Sequence, residues 1–68
     1  MNLSAQITTA LLARQAVQSK TTLSRSSLYA MIARGEFPAP IKITGRRVAW
    51  TETSVNDWIQ SRIESTSI

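Results

Sequence analysis

The chain has 68 residues, no Cys and no His, and a formal net charge of +4 from eight Lys and Arg against four Asp and Glu. A chain of this length forms one small domain with a net stability of about 3–5 kcal/mol, too small for a large enclosed active site. The lack of Cys and His excludes disulfides, thiolate chemistry and the usual zinc ligands, so we expect no catalytic centre, metal or cofactor. The basic excess favours a polyanionic partner over a small-molecule substrate, and a merely basic soluble protein is the alternative.

Hydropathy argues against contact with a membrane. No apolar run approaches the roughly 20 residues that a bilayer crossing requires. The apolar stretch at residues 10–13 is too short for the core of a signal peptide and leads into a predicted helix, so we expect a cytoplasmic protein.

The N-terminal third of the chain predicts an arm followed by one helix. Residues 1–10 are polar and little patterned, and we interpret them as a flexible N-terminal arm. Residues 11–20 combine good helix formers with apolar positions at a period near 3.6, which predicts a short helix that begins near Leu12 or Ala13. Residues 20–22 have low helix propensity and predict a tight turn before a second helix.

The stretch from Leu23 to Gly35 carries the clearest helix signals. Ser24 is a favourable N-cap, and Gly35 is a C-terminal stop because it tolerates the left-handed conformation. Between them lies an apolar stripe with Leu28 at its centre. The opposite face is small, hydroxylated and free of carboxylates, so it can approach a polyanion closely, although an ordinary amphipathic helix with a Ser-rich surface is the alternative. Arg25 in the first turn opposes the helix dipole, so helix stability does not explain it.

A β-hairpin is predicted after the second helix. Two prolines in the segment 36–40 prevent helix there, and Phe37 is a large apolar anchor for the core. Apolar and polar residues alternate at 41–44 and again at 47–50, which predicts two strands around a turn at Gly45 and Arg46. The inward-facing candidates are Ile41, Ile43, Val48 and Trp50.

The exposed side of this hairpin is basic, with Lys42 on one strand and Arg46 and Arg47 at the tip. Adjacent cations repel, and Asn-Gly or Asp-Gly is the more usual hairpin turn. We therefore interpret the two arginines as contacts to phosphate or to a DNA minor groove, with a solvated basic turn as the alternative.

The C-terminal segment predicts a final, structural helix. Thr53 or Ser54 is the expected N-cap, and residues 64–68 are expected to fray. We interpret Trp58 as a core residue rather than as a platform for stacking bases, because it belongs to an apolar stripe. The stripe consists of Val55, Trp58, Ile59 and Ile63.

The order of these motifs resembles the AlpA-type prophage regulators and small phage excisionases, winged helix-turn-helix DNA-binding proteins related to the MerR group. Two features depart from the family pattern. Thr22 stands at a turn position that is often Gly, and Ala13 and Ala16 replace the usual cap and acidic residue of the first helix, which is therefore expected to be shorter or less stable. The resemblance covers about residues 11–63 and depends on the segments Leu23–Tyr29, Gly35–Ile43, Gly45–Trp50 and Val55–Ile59.

The resemblance implies a mainly α fold with a small β-hairpin, in which residues 11–63 form three short helices plus a two-stranded wing. It also implies a bacterial phage or mobile-element protein, associated with the nucleoid when bound, that binds double-stranded DNA as a transcriptional regulator or as an excisionase. An integrase and further copies of the chain on DNA are candidate additional partners. A small protein-interaction module that inhibits or adapts a host protein is the alternative function, and we expect no enzyme.

The family pattern also assigns the DNA-contacting residues, one at a time. It places the start of the second helix in or beside the major groove and the wing on the adjacent minor groove or backbone. The predicted helix contacts are Arg25, Ser26, Ser27, Tyr29 and Ala30. The predicted wing contacts are Lys42, Gly45, Arg46 and Arg47.

Overall fold

The computed structural model describes residues 10–66, so nearly all of the predicted N-terminal arm lies outside the described residues. This part of the chain has three helices and a small antiparallel sheet with strand order β1-β3-β2, the winged helix-turn-helix architecture predicted from sequence. No helix within it is both long and apolar enough to cross a membrane. The elements are β1 (Leu11–Leu12), α1 (Arg14–Thr21), α2 (Arg25–Ala33), β2 (Ile41–Lys42), β3 (Val48–Thr51) and α3 (Glu52–Thr66).

The first helix begins later than the sequence pattern predicts. Leu11 and Leu12 form a short strand that pairs with Thr51 and Trp50 of β3, and the helix starts only at Arg14. Pairing with the open edge of β3 gives hydrogen-bond partners to backbone N–H and C=O groups of that strand. This pairing overrides the local helix propensity of Leu11 and Leu12. As expected from the missing cap residue, the helix is short and Ala13 provides no side-chain cap hydrogen bond.

The turn between α1 and α2 contains a strained residue. Thr22 closes α1 in the left-handed conformation, with φ 63° and ψ 12°, and its N–H donates to the carbonyl of Gln18 at 2.7 Å. Left-handed backbone is unfavourable for a β-branched residue and favourable for Gly. The departure from the family pattern at this position therefore has a structural cost.

Both predicted ends of the second helix are confirmed. The Ser24 side chain accepts from the N–H of Ser27 at 3.1 Å. At the other end Gly35 has φ +74° and donates to the carbonyl of Ile32, while Glu36 N–H donates to the carbonyl of Met31 at 2.8 Å. This pair of bonds is a Schellman motif, which ends the helix and turns the chain towards the wing.

The hairpin forms around the predicted turn, but most of its expected inward residues are exposed. Ile41 and Ile43 are each 46% exposed and Val48 is 36% exposed, whereas Ala49 and Trp50 are buried. Every residue from 41 to 48 is exposed, so this part of the hairpin meets water on both faces. Alternation predicts a buried face only where a core covers the strand, and here the core begins at Ala49.

A single core joins the helices to the sheet. It lies against the buried end of β3, with both sequence-predicted anchors, Phe37 and Trp50, inside it. Trp58 is half-buried and packs against this core, as predicted. Its buried members are Val17, Leu28, Phe37, Trp50 and Val55.

The last helix begins earlier and extends further than predicted. Its cap is Thr51, the final residue of β3, whose Oγ1 accepts from the N–H of Ser54 at 3.1 Å. The predicted caps Thr53 and Ser54 are inside the helix because the strand leads into it without a loop. Residues 64–66 of the predicted frayed end continue the helix, with the Thr66 hydroxyl bonding back to the carbonyl of Arg62, and residues 67 and 68 lie outside the described residues. Ile63, a predicted stripe residue, is 54% exposed because it lies beyond the reach of the core.

Candidate nucleic-acid interface

The predicted helix contacts form an exposed face on α2, which we call the recognition face: Arg25, Ser26, Ser27, Tyr29 and Ala30. All five residues are exposed. The reason is that α2 buries only Leu28 completely, with Met31 and Ile32 half-buried on the same side. The remaining surface of the helix is therefore accessible to a large partner.

The hydroxyl groups at the start of the recognition face differ in the hydrogen bonds that they make. The Ser24 hydroxyl donates to Ser27 Oγ at 3.0 Å, so the Ser27 hydroxyl is already an acceptor within the cap and keeps its own proton to donate. Among residues 10–66, the side chains of Arg25 and Ser26 make no hydrogen bond. The Tyr29 hydroxyl makes none within the same residues, so all three of these exposed polar groups are available to a partner.

The wing presents its cations on a turn held by backbone hydrogen bonds. Ile43 and Thr44 N–H both donate to the carbonyl of Arg47, at 2.8 and 3.2 Å, and Arg47 N–H donates to Thr44 O at 3.4 Å. Gly45 and Arg46 therefore occupy the tip of the turn. Together with Lys42 on β2, the two arginines form an exposed basic group, which we call the wing cations.

The other four basic side chains all have partners within the molecule. Lys20 Nζ lies 3.6 Å from Glu52 Oε2, and Arg34 Nη2 lies 3.0 Å from Glu36 Oε1. The hydrogen bond and charge of Arg34 lower the pKa of the Glu36 carboxyl below its usual value. Two further arginines bind neutral groups: Arg14 donates to Gln18, and the Arg62 guanidinium lies 5.0 Å from the centre of the Trp58 ring.

The basic side chains that have no ion pair, side-chain hydrogen bond or aromatic contact among residues 10–66 coincide with the predicted cationic DNA contacts. Within residues 10–66, which include all eight basic side chains, Arg25 and the wing cations form no ion pair. The recognition face and the wing lie on separate elements, joined by the segment 34–40. Unpaired arginines on exposed elements are suited to neutralising the phosphates of a polyanion.

Comparison with known proteins now identifies the family. A family model described as the prophage CP4-57 regulatory protein (AlpA) matches residues 10–63. The chain belongs to the AlpA family. The match runs from the residue before β1 into the last turns of α3, and it confirms the resemblance found in the sequence motifs. AlpA proteins are described as prophage regulators, which makes this chain a member of a regulatory family.

One curated relative of this AlpA-family chain comes from a bacteriophage. The chain is 44% identical over 41 residues to the uncharacterized protein ORF88 of Enterobacteria phage P4. The aligned region is 60% of this chain and 47% of the relative, so the chain spans about half the length of the curated relative that it matches.

Sequence reasoning missed one residue that shapes the wing of this AlpA-family domain. The Thr44 hydroxyl lies 3.4 Å from the backbone N of Arg46 and 3.2 Å from that of Arg47, and it accepts from both. This interaction stabilises the turn that carries the arginines. The signal was present, since a Thr directly before a Gly at a hairpin tip is a typical side-chain-to-backbone turn.

Proposed function

We propose that this AlpA-family chain is a sequence-specific double-stranded DNA-binding protein of phage or mobile-element type. In this proposal the recognition face lies in the major groove, and the wing cations and Gly45 lie on the adjacent minor groove or backbone. The chain acts in the bacterial cytoplasm, where its target DNA lies. The observation that supports the proposal best is that, within residues 10–66, the four basic side chains with no ion pair, side-chain hydrogen bond or aromatic contact are those assigned to DNA.

The recognition face has the chemistry for reading base edges. The Arg25 guanidinium forms no ion pair or hydrogen bond within residues 10–66, and its fork geometry fits the O6 and N7 acceptors of guanine. Ser26 donates or accepts at a base edge or a phosphate, and the methyl group of Ala30 suits contact with a thymine methyl. The small side chains let the helix backbone approach the groove floor, while Tyr29 at the flank reaches a phosphate.

The wing cations supply affinity that does not depend on sequence. Each phosphate contact releases condensed counterions and contributes about 0.9 to the slope of log affinity against log salt. We expect the double substitution Arg46→Ala and Arg47→Ala to weaken binding to all DNA sequences and to flatten this slope by about 1.8. Substitution of Arg25 or Ser26 changes the preferred sequence instead.

The matched control removes the same charge elsewhere. Lys20→Ala with Arg34→Ala also lowers the net charge by two, but these cations already pair with carboxylates. Exposed pairs of this kind contribute at most about 1 kcal/mol to stability, so the control folds. We expect it to keep the slope of the parent protein in electrophoretic shift titrations against DNA surrounding its own gene.

Three results would contradict the proposal. One is an equal change of the salt slope in the two double variants. Another is that heparin displaces the parent protein from DNA even at low salt. The third is a stoichiometric complex with a host protein that is insensitive to nucleic acid, which supports the alternative of a protein-interaction module.

We infer that DNA binding serves one of two functions. The chain either regulates a promoter or directs excision together with an integrase. An excisionase acts architecturally, by occupying repeated sites with several copies and bending the DNA. A regulator occupies a promoter site. A bending assay on DNA with tandem sites distinguishes them, since only the architectural role requires a bend that grows with the number of bound copies.

A further inference from the structure

Helix α2 has few fully buried side chains, although reading DNA requires the helix to be held at a defined angle to the wing. Leu28 is its one fully buried side chain. Met31 and Ile32 pack half-buried on the same side, and a further contact at one end of the helix restricts its rotation about that side. The segment that follows the helix provides this contact.

Glu36 connects the end of α2 to α3 through its backbone. Its N–H donates to the carbonyl of Met31 in α2 at 2.8 Å. Its carbonyl accepts from the indole Nε1 of Trp58 in α3, also at 2.8 Å. One residue therefore joins the two helices by hydrogen bonds on both of its sides.

A second indole holds the same segment against the wing. Trp50 Nε1, on strand β3, donates to the carbonyl of Pro38 at 2.9 Å, and the Trp50 side chain is fully buried. Phe37 lies between the two bonded carbonyls, is buried, and has its ring centroid 4.8 Å from that of Trp58. The segment between α2 and β2 is thus held from α3 at Glu36 and from β3 at Pro38.

We propose that these two indole hydrogen bonds, the indole clamp, set the angle and distance between the recognition face and the wing. A Phe ring at either position loses some packing, but burial alone does not require that both indole N–H groups be directed at backbone carbonyls of this one segment. The N–H group adds a directional bond to a fixed backbone carbonyl. Trp50 and Trp58 are therefore positioning residues for DNA binding, a role that depends on the proposed function, while the geometry that they fix is a property of the free protein.

The clamp matters for affinity because two linked contacts bind as one unit only when their spacing matches the target. A looser connection lowers the effective concentration of the wing at its site once the helix is bound. Loss of the clamp is therefore expected to reduce binding to the specific site, where both contacts form together, more than binding to random DNA.

The first measurement uses the free protein. The chain has no Cys, so Ser26→Cys with Arg46→Cys places one spin label on α2 and one on the wing. Pulsed electron resonance then gives the distribution of the distance between the labels. We expect a narrow distribution that broadens when Trp58→Phe is added and does not change when Ile59→Val is added, since Ile59 packs against the core without a bond to the segment.

The second measurement uses unlabelled protein and DNA. We expect Trp58→Phe to lower the ratio of specific to nonspecific affinity by about tenfold, whereas Ile59→Val leaves the ratio unchanged. Trp50→Phe is the stronger test of the wing side. If its fold is lost, Trp58→Phe carries the test alone because Trp58 is only half-buried.

The outcomes separate the clamp from the proposed function. An unchanged distance distribution in Trp58→Phe overturns the clamp, whatever the DNA result, and leaves Trp58 with a packing role. Equal broadening by Ile59→Val also overturns it. If the distance distribution broadens in Trp58→Phe but the parent protein binds no DNA, the clamp is supported and the proposed function is contradicted.

Discussion

Thr22 offers a clean test of the backbone argument, because it is an exposed residue in a left-handed conformation with φ 63°. The left-handed region costs a residue with a Cβ about 1–2 kcal/mol relative to Gly. Thr22→Gly removes this cost but gives the unfolded chain more freedom, which subtracts about 0.4–1 kcal/mol. Within residues 10–66 the Thr22 hydroxyl bonds only to the neighbouring carbonyl of Thr21, so little else is lost. We expect a net stabilisation of about 0.5–1 kcal/mol.

Thermal unfolding followed by circular dichroism measures this gain. For a domain of this size the gain raises Tm by about 2–8 °C. The control is Ser19→Gly, at an exposed interior position of α1, where the same new residue is expected to destabilise by about 0.3–0.5 kcal/mol, because Gly is less favourable than Ser inside a helix. The opposite signs are the essential result. If Thr22→Gly lowers Tm as much as Ser19→Gly does, the left-handed backbone at Thr22 is not a source of strain.

Three further predictions concern backbone, cap and pH. Gly35→Ala is expected to cost about 1–2 kcal/mol because of its positive φ, while Gly45→Ala, whose added Cβ also meets nothing within 4 Å, is expected to be nearly neutral in urea unfolding. Thr51→Ala removes the observed cap and should cost about 0.5–2 kcal/mol, whereas an equal loss in Thr53→Ala would support the cap predicted from sequence. Because the pKa of Glu36 is lowered in the folded state, its contribution to stability is present above the ordinary pKa of 4.5 and is lost as pH falls through the folded value. Urea titrations should therefore show a shallower loss of stability below pH 4.5 in Glu36→Gln, and identical slopes would refute the Arg34 interaction.

Local sequence determined the features that depend on local chemistry. The Ser24 cap, the left-handed Gly35 and the turn at Gly45 and Arg46 each depend on backbone groups only a few residues away. The same holds for the exposure of the recognition face, since one apolar stripe on a short helix decides which side meets the core. For this reason the order of two helices, a hairpin and a final helix could be predicted without coordinates, while the resemblance to a family implied the winged helix-turn-helix class and the contact residues, all of which are exposed.

Tertiary structure decided the features that depend on distant partners. Leu11 and Leu12 form a strand because β3 presents an open edge 40 residues later in the sequence, and no local pattern contains that information. The exposed Ile43 and Val48 show that alternation identifies two faces but not which of them a core covers. The indole bonds of Trp50 and Trp58, which span 12 and 22 residues, appear only once the helices and the wing are packed. Sequence thus determined which groups are available at the surface, and packing decided how they are held relative to each other, because relative placement depends on contacts between segments that are far apart in the chain.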